Sequence, residues 1–246
     1  MLSIKKTSTP FTETHTASSI SLPEKLALAQ TFGLVVLGIV ASYIDTAWFE
    51  EVYTVEDGFV EWLTVLPLVV VIAFCLSRII GRKEPGSVRF MTGTILIVLF
   101  SFFVAGEEIS WGQRIFQVQS TGFFKENNSQ QEMNLHNMVI NGVKVNKVIF
   151  SQALTVGAAF YLLALPLIYR KSRNIKELID GWAVPVPRLY QIISFLLLFG
   201  VIGLCPSGKR AELLEMGATT LFCLIVLCPF NPIQSDRELL NNPKQS

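Results

Sequence analysis

The second apolar run of the chain, residues 62–80, reads WLTVLPLVVVIAFCLSRII and decides the class of fold. Its one charged residue, Arg78, lies close to the end. A helix of this length spans about 30 Å of hydrocarbon, and a long apolar run without charge in its middle is typical of a membrane-spanning segment. The run therefore predicts a helix that crosses a bilayer.

Five further runs share this composition. Across the chain 51% of the residues are hydrophobic and 16% are charged, as in an integral membrane protein. We predict an all-α, multipass membrane domain over residues 26–230 with about six transmembrane helices. The predicted spans are residues 26–44, 62–80, 90–105, 148–169, 189–205 and 211–230.

The basic residues predict the orientation of the chain. With the N-terminus in the cytoplasm, fourteen of the twenty Lys and Arg residues fall in cytoplasmic segments and six in outer segments. This positive-inside bias places both termini in the cytoplasm and the protein in the cell (inner) membrane. We predict a disordered cytoplasmic tail at residues 1–25, a long outer loop at residues 107–147 and a cytoplasmic tail at residues 231–246.

Acidic residues gather where three predicted spans meet the outer face. Carboxylates so close to hydrocarbon are costly to keep, which makes them a hypothesis for a functional site. The alternative is that acids at a helix N-terminus complement its dipole, or form a solvated charge cluster. The residues are Glu56, Asp57 and Glu61 before the second span, Glu107 and Glu108 at the end of the third, and Glu212 and Glu215 at the start of the sixth.

The dipole does not explain the pair at the end of the third span. A helix C-terminus favours cations, so two adjacent glutamates there need a compensating partner. If the helix continues past Gly106, then Glu107, Trp111 and Arg114 lie on one stripe. We therefore predict that Arg114 pairs with Glu107 while Glu108 faces elsewhere, either within a functional site or as a structural salt bridge that closes the bundle.

The predicted outer loop contains the polar stretch NSQQEMNLHN at residues 128–137. Its His136 is the only histidine outside the N-terminal tail. A lone loop histidine is often a surface residue, but beside several carboxylates it can bind a metal ion or transfer protons near neutral pH. Carboxylates with one imidazole suit Mg, Ca, Mn, Fe or Zn. The sequence thus predicts a divalent metal ion held by Glu61, Glu107, Glu108, His136 and Glu215.

The segments GEEISWGQR at residues 106–114 and NxQxExNLHN at residues 128–137 resemble the paired motifs of a family of bacterial multipass membrane proteins that lacks an established activity. Residues 56–62 are similar to that family's first outer motif. The resemblance implies that these segments form one site, and it implies no reaction. A more distant resemblance, to alkaline ceramidase-like membrane hydrolases, extends to architecture only, because that group relies on several histidines and this face has one.

Three functions remain open for the predicted site. The first is a metal-dependent enzyme that acts on a lipid or lipid-linked substrate at the outer leaflet. The second is an ion- or proton-coupled transporter, and the third is a non-catalytic envelope or assembly subunit whose outer loop docks a basic partner. Nucleic-acid binding is not indicated, because the basic residues do not interleave with aromatic ones.

For an enzyme, the residue types suggest roles. Glutamate and histidine serve acid–base or metal chemistry, arginine holds an anionic group such as phosphate, and tryptophan and amides seat a substrate at the interface. The candidate catalytic residues are Glu107, Glu108, His136 and Arg114. The candidate substrate-binding residues are Trp62, Trp111, Gln113, Asn134 and Asn137. Glu56, Asp57 and Glu212 complete the acidic cluster.

Overall fold

A computed structural model of the chain describes residues 19–81, 87–140, 142–145 and 152–231. Most of the predicted tails, residues 1–18 and 232–246, lie outside the described residues. The described helices are α1 (Leu22–Ile44), α2 (Phe59–Ile80), α3 (Val88–Glu108), α4 (Gly122–Asn127), α5 (Leu154–Lys171), α6 (Arg173–Gly181), α7 (Leu189–Ile202) and α8 (Arg210–Leu227). The all-α prediction is confirmed.

Shorter elements connect these helices. Helical turns lie at Thr46–Trp48, Phe49–Tyr53 and Ser110–Gly112. Strands β1 (Val139–Ile140) and β2 (Val143–Lys144) pair antiparallel within the loop that follows α3. Within α5, Phe160–Ala164 is a π-helical segment that precedes Pro166.

Four helices, α1, α2, α3 and α5, are long and apolar enough to cross a membrane. Their exposed side chains include Leu66 on α2 and Leu96 and Leu99 on α3, as expected of a surface that faces hydrocarbon. The other two predicted spans correspond to α7 and α8. Helix α7 is shorter than these four helices, and α8 begins with charged residues. Helix α7 has fourteen residues, or about 21 Å at 1.5 Å per residue, and the first turns of α8 contain Glu212 and Glu215.

Helix α8 lies at the centre of the bundle, packed against α1, α2 and α7. Its residues Leu213, Met216, Leu221 and Ile225 are almost fully buried in the main hydrophobic core. A helix that is surrounded by other helices presents little surface to lipid. This position explains how α8 accommodates charged residues that a lipid-facing helix would not.

The directions of the helices bring the predicted acidic segments to one end of the bundle. Helix α3 ends, and α2 and α8 begin, at the same end of the bundle. The shared cavity that Glu61, Glu108 and Glu215 line shows this arrangement. Helices α1 and α7 also end there, where the hydroxyl of Tyr43 donates a hydrogen bond of 2.8 Å to the carbonyl of Leu204. We call this the acidic end.

The opposite end is fastened by a second set of hydrogen bonds. The buried carboxylate of Glu24 in α1 accepts hydrogen bonds from the Ser21 N–H and the Tyr190 hydroxyl. The Gln191 side chain donates to the carbonyls of Leu224 and Cys228 at 3.0 and 3.1 Å. The starts of α1 and α7 and the end of α8 are therefore held together.

Candidate functional site

A cavity of about 50 Å³ lies at the acidic end and gathers residues that are remote in sequence. All five predicted metal ligands line it. Seven of its lining residues are glutamates, against one arginine among the described residues. The lining residues are Glu56, Glu61, Glu107, Glu108, Arg114, Gln130, Glu132, Asn134, His136, Asn137, Glu212 and Glu215.

Three of these residues, Glu108, His136 and Glu215, lie close enough together that they could hold one metal ion. Each offers one ligand atom, and the three atoms lie within 4.8 Å of one another. Nε2 of His136 is 3.8 Å from Oε1 of Glu215. Since metal–ligand bonds of about 2.0–2.6 Å place two ligands roughly 3–5 Å apart, this spacing suits one shared ion.

Glu61 adds a carboxylate oxygen that has no donor. Its side chain is 6% exposed, its Oε2 accepts the backbone N–H of Asp57 at 2.7 Å, and its Oε1 makes no hydrogen bond within the described residues. A buried carboxylate oxygen without a partner is costly unless a cation lies beside it. Either a proton or a cation would satisfy this oxygen, and Glu61 is therefore a candidate fourth ligand beside the three residues above.

Asp57 and Glu61 are four residues apart but do not lie on one face of a helix. Helix α2 begins at Phe59 after the N-cap Gly58, and Asp57 has a φ of +57°. Asp57 contacts Glu61 through its backbone N–H, while its carboxylate points to Arg114. The left-handed turn at Asp57 separates the two carboxylates, which a continuous helix would have placed side by side.

Glu107 is held by three N–H donors. Its Oε1 accepts the indole N–H of Trp111 at 2.8 Å, and its Oε2 accepts the backbone N–H groups of Leu135 and His136 at 2.6 and 3.0 Å. These donors compensate a carboxylate that the helix dipole disfavours. Glu107 thereby fixes the loop that carries His136 to the end of α3, which is a positioning role.

Arg114 does not form its predicted pair with Glu107. Its Nη1 lies 3.1 Å from both Glu56 and Glu132, and its Nε lies 2.7 Å from Asp57. The reason is that α3 ends at Glu108, and the positive φ angles of Ser110 and Trp111 then turn the chain off the helical stripe. The guanidinium thus joins the segment before α2 to the loop after α3.

The surroundings of Arg114 keep it charged. Burial alone would lower the pKa of its guanidinium, but the carboxylates of Glu132 and Asp57 outweigh this effect and raise the pKa above its usual value. With three carboxylates already around it, Arg114 has a stabilising role independent of any phosphate group.

We expect Arg114→Ala to lower the free energy of unfolding by about 1–3 kcal/mol, since three carboxylates lose their counter-charge at a site that is one-third exposed. Thermal unfolding in detergent would measure the loss. The matched control is Arg173→Ala, because Arg173 is 89% exposed and forms one pair, with Glu177. Equal unfolding midpoints for the two variants would contradict a stabilising role and favour anion binding by Arg114.

The loop at residues 128–137 is folded by its own polar side chains. The Asn134 amide donates to Ser110 and Glu132 at 2.8 and 2.9 Å and accepts from Asn128. Sequence reasoning did not assign Glu132 or Ser110 to the site, although Glu132 is buried between Arg114 and Ser110. The signal for Glu132 was its position as the only acid in an amide-rich motif.

The other predicted substrate-binding residues divide into two groups. Gln113 donates to Ser120 and accepts from the Met133 N–H, and Asn137 donates to Gln130, so both amides hold the loop. Trp62 and Trp111 are 47% and 43% exposed and do lie at the surface. The two remaining acids of the predicted cluster that reach the cavity are Glu56 and Glu212.

His136 is suited to bind a metal through a neutral ring. Burial lowers the pKa of its imidazole, and the nearby Glu107 carboxylate opposes this only in part. A neutral imidazole offers a nitrogen lone pair, which an imidazolium does not.

Comparison of the chain with protein-family models, with curated proteins and with solved structures gave no match. The resemblance to a family of bacterial multipass membrane proteins stays a prediction. Function is therefore inferred from the geometry and chemistry of the site.

Proposed function

We propose that this chain is a membrane-embedded, metal-dependent enzyme that acts on a lipid or lipid-linked substrate, with a divalent cation in the cavity at the acidic end. The observation that carries the proposal is the convergence of Glu108, His136 and Glu215 within 4.8 Å, beside a buried Glu61 oxygen that lacks a donor. A carboxylate-rich set with one imidazole suits a hard or borderline ion.

The charge of the cavity supports a cation. Two carboxylates about 4 Å apart repel each other by about 4 kcal/mol at an effective dielectric constant of 20. Seven glutamates with one arginine around about 50 Å³ are therefore unstable together unless protons or a metal ion neutralise them. A divalent ion attracts every one of these carboxylates at once, and His136 adds a ligand that a purely protonated cluster would not need.

The size of the cavity limits what it holds. A volume of about 50 Å³ accommodates an ion with one or two waters, but no lipid headgroup. The substrate would therefore approach the ion from the open side of the cavity. There a bound metal would polarise a carbonyl or phosphoryl oxygen or activate a water, and the adjacent glutamates would accept or deliver protons.

The proposal includes six membrane crossings with both termini in the cytoplasm. Helices α7 and α8 run between the same two ends of the bundle as the longer helices, which supports six crossings despite the short α7. The start of α1 and the end of α8 meet at the end opposite the cavity, which supports termini on one side. The positive-inside bias then assigns that side to the cytoplasm. The proposed location of the protein is the inner membrane of the cell.

Elemental analysis of the purified protein tests the metal. We expect about one divalent ion per chain after dialysis, because a four-residue ligand set retains its ion. Chelation should remove the ion and lower the thermal unfolding midpoint, since a ligand that binds only the folded state stabilises it. The control is Glu51→Gln, which removes an exposed acid and should leave the metal content unchanged. Metal at background level in freshly purified protein would overturn the proposal.

A lipid-conversion assay tests the enzymatic part. Metal-loaded protein in vesicles of bacterial phospholipids and lipid-linked sugars should yield a product that mass spectrometry detects, and Glu215→Gln should yield none. A metal-loaded protein that converts none of these lipids would contradict an enzyme of this substrate class while leaving the metal site standing.

A further inference from the structure

An exposed apolar surface lies on the loop that follows α3. Ile115, Phe116, Val118 and Phe123 are all exposed, Phe116 to 74%. Together with Trp111 they form what we call the apolar loop surface. The ten residues 115–124 contain no charged side chain. A cluster of large apolar residues is rarely left in water and marks contact with a membrane or a partner.

The apolar loop surface continues the lipid-facing side of α3. Phe102 and Phe103, near the end of α3, are exposed, and the Trp111 ring packs edge-on against both at 5.9 and 6.0 Å. The Phe116 ring lies close beside Gly112, where an added Cβ atom would be 2.9 Å from it. The exposed aromatic residues at the end of a membrane-crossing helix are therefore followed directly, through Trp111 and Gly112, by the exposed apolar side chains of the loop.

The backbone after α3 produces this arrangement. Ser110, Trp111 and Gly112 have φ angles of +46°, +54° and +75°, and three successive left-handed residues turn the chain sharply. The turn places the Trp111 ring against α3, while its indole N–H reaches Glu107. A tryptophan whose ring packs on the apolar side of a helix, while its N–H donates a hydrogen bond to the protein, is typical of the membrane interface.

We propose that the apolar loop surface lies in the headgroup region of the bilayer at the acidic end, with lipid as its partner. The lack of charge over residues 115–124 and the continuity with α3 favour lipid over a protein partner. The consequence for a lipid substrate rests on the proposed function: because the Trp111 indole N–H bonds to Glu107 of the cavity lining, a lipid held at this surface lies next to the site. The contact with lipid itself does not depend on a metal.

Fluorescence quenching in nanodiscs tests this placement. The probe is a fluorophore on Phe116→Cys, with Val118→Cys as a second probe and the exposed Glu126→Cys of α4 as the control, in a background where Cys75, Cys205, Cys223 and Cys228 are replaced. We expect lipids with a nitroxide near the headgroup to quench the two probes about threefold more than the control. Aqueous iodide should show the reverse order.

Two outcomes would overturn the placement. Iodide quenching at positions 116 and 118 equal to that at position 126 would put the surface in water. Protection from both quenchers would mean that a protein, such as a second copy of the chain, covers it. The same probes in a Glu215→Gln background should give unchanged quenching, because the contact with lipid needs no metal. Failure of the metal proposal and failure of the lipid contact are therefore detected by different measurements.

Discussion

Replacing Glu215 by glutamine is expected to reduce the bound metal from about one ion per chain to less than about a tenth. The change keeps the side-chain volume but removes the charge of a ligand that lies 3.8 Å from His136. Mutation of residues that only support the metal ligands weakens metal binding about 10–100-fold. Loss of a ligand itself should therefore weaken binding by at least about 100-fold. Glu108→Gln should behave in the same way, because Glu108 belongs to the same group.

Elemental analysis after dialysis against a weak chelator measures this effect. Glu51→Gln serves again as the control, since it removes the same charge from an exposed position. If both Glu108→Gln and Glu215→Gln retain a full complement of metal, the ion is not held by this group.

The second large effect is expected for Glu107→Ala, and it is structural. The change removes the acceptor for the indole N–H of Trp111 and for the backbone N–H groups of Leu135 and His136. Hydrogen bonds to a charged group contribute about 1.5–3 kcal/mol each, so the local opening of residues 128–140 should become easier by at least about 3 kcal/mol. Since about 1.4 kcal/mol corresponds to a factor of ten, amide exchange in this segment should accelerate at least about 100-fold.

Hydrogen exchange with mass spectrometry on chelated protein, beside elemental analysis of protein that was not chelated, separates positioning from ligation. Glu107→Ala should expose residues 128–140 to exchange and also lose the metal, because His136 is no longer held in place. Glu108→Gln should lose the metal while exchange in this segment stays within about threefold of the wild type, because Glu108 holds no N–H of the loop in the described structure. Equal exchange in the two variants would contradict a positioning role for Glu107.

The sequence was sufficient to predict the all-α fold and to bring the acids together at one end of the bundle. Long apolar runs fix where helices cross hydrocarbon, and alternating directions then bring the start of α2, the end of α3 and the start of α8 together. For this reason Glu61, Glu108 and Glu215 could be placed in one cavity with His136 without any structure. The spans predicted at residues 189–205 and 211–230 became the shorter α7 and the central α8.

The partners of individual charges could not be predicted in this way. Helical spacing suggested that Arg114 meets Glu107, but three successive left-handed residues after α3 redirect the chain. Of these, Ser110 and Trp111 have no strong sequence signature for such a turn. The true partners of Arg114 come from segments 58 residues before it and 18 residues after it, and only tertiary structure brings those together. The sequence likewise does not reveal that N–H groups surround Glu107, and its role as a metal ligand stays a prediction.

Helix α8 lies at the centre of the bundle and connects its acidic end to the opposite end. Glu215 of this helix lies beside the cavity and Leu221 lies in the core. At the end of the helix, the carbonyls of Leu224 and Cys228 accept hydrogen bonds from the Gln191 side chain. A displacement of one helical residue along the axis, about 1.5 Å, would change the distances from the Glu215 carboxylate to Glu108 and His136. The Gln191 contacts, about 14–20 Å from Glu215 along the helix axis, help to set the position of this carboxylate in the cavity. Variants at buried positions distant from the cavity should therefore be screened for altered ion affinity as well as for poor folding.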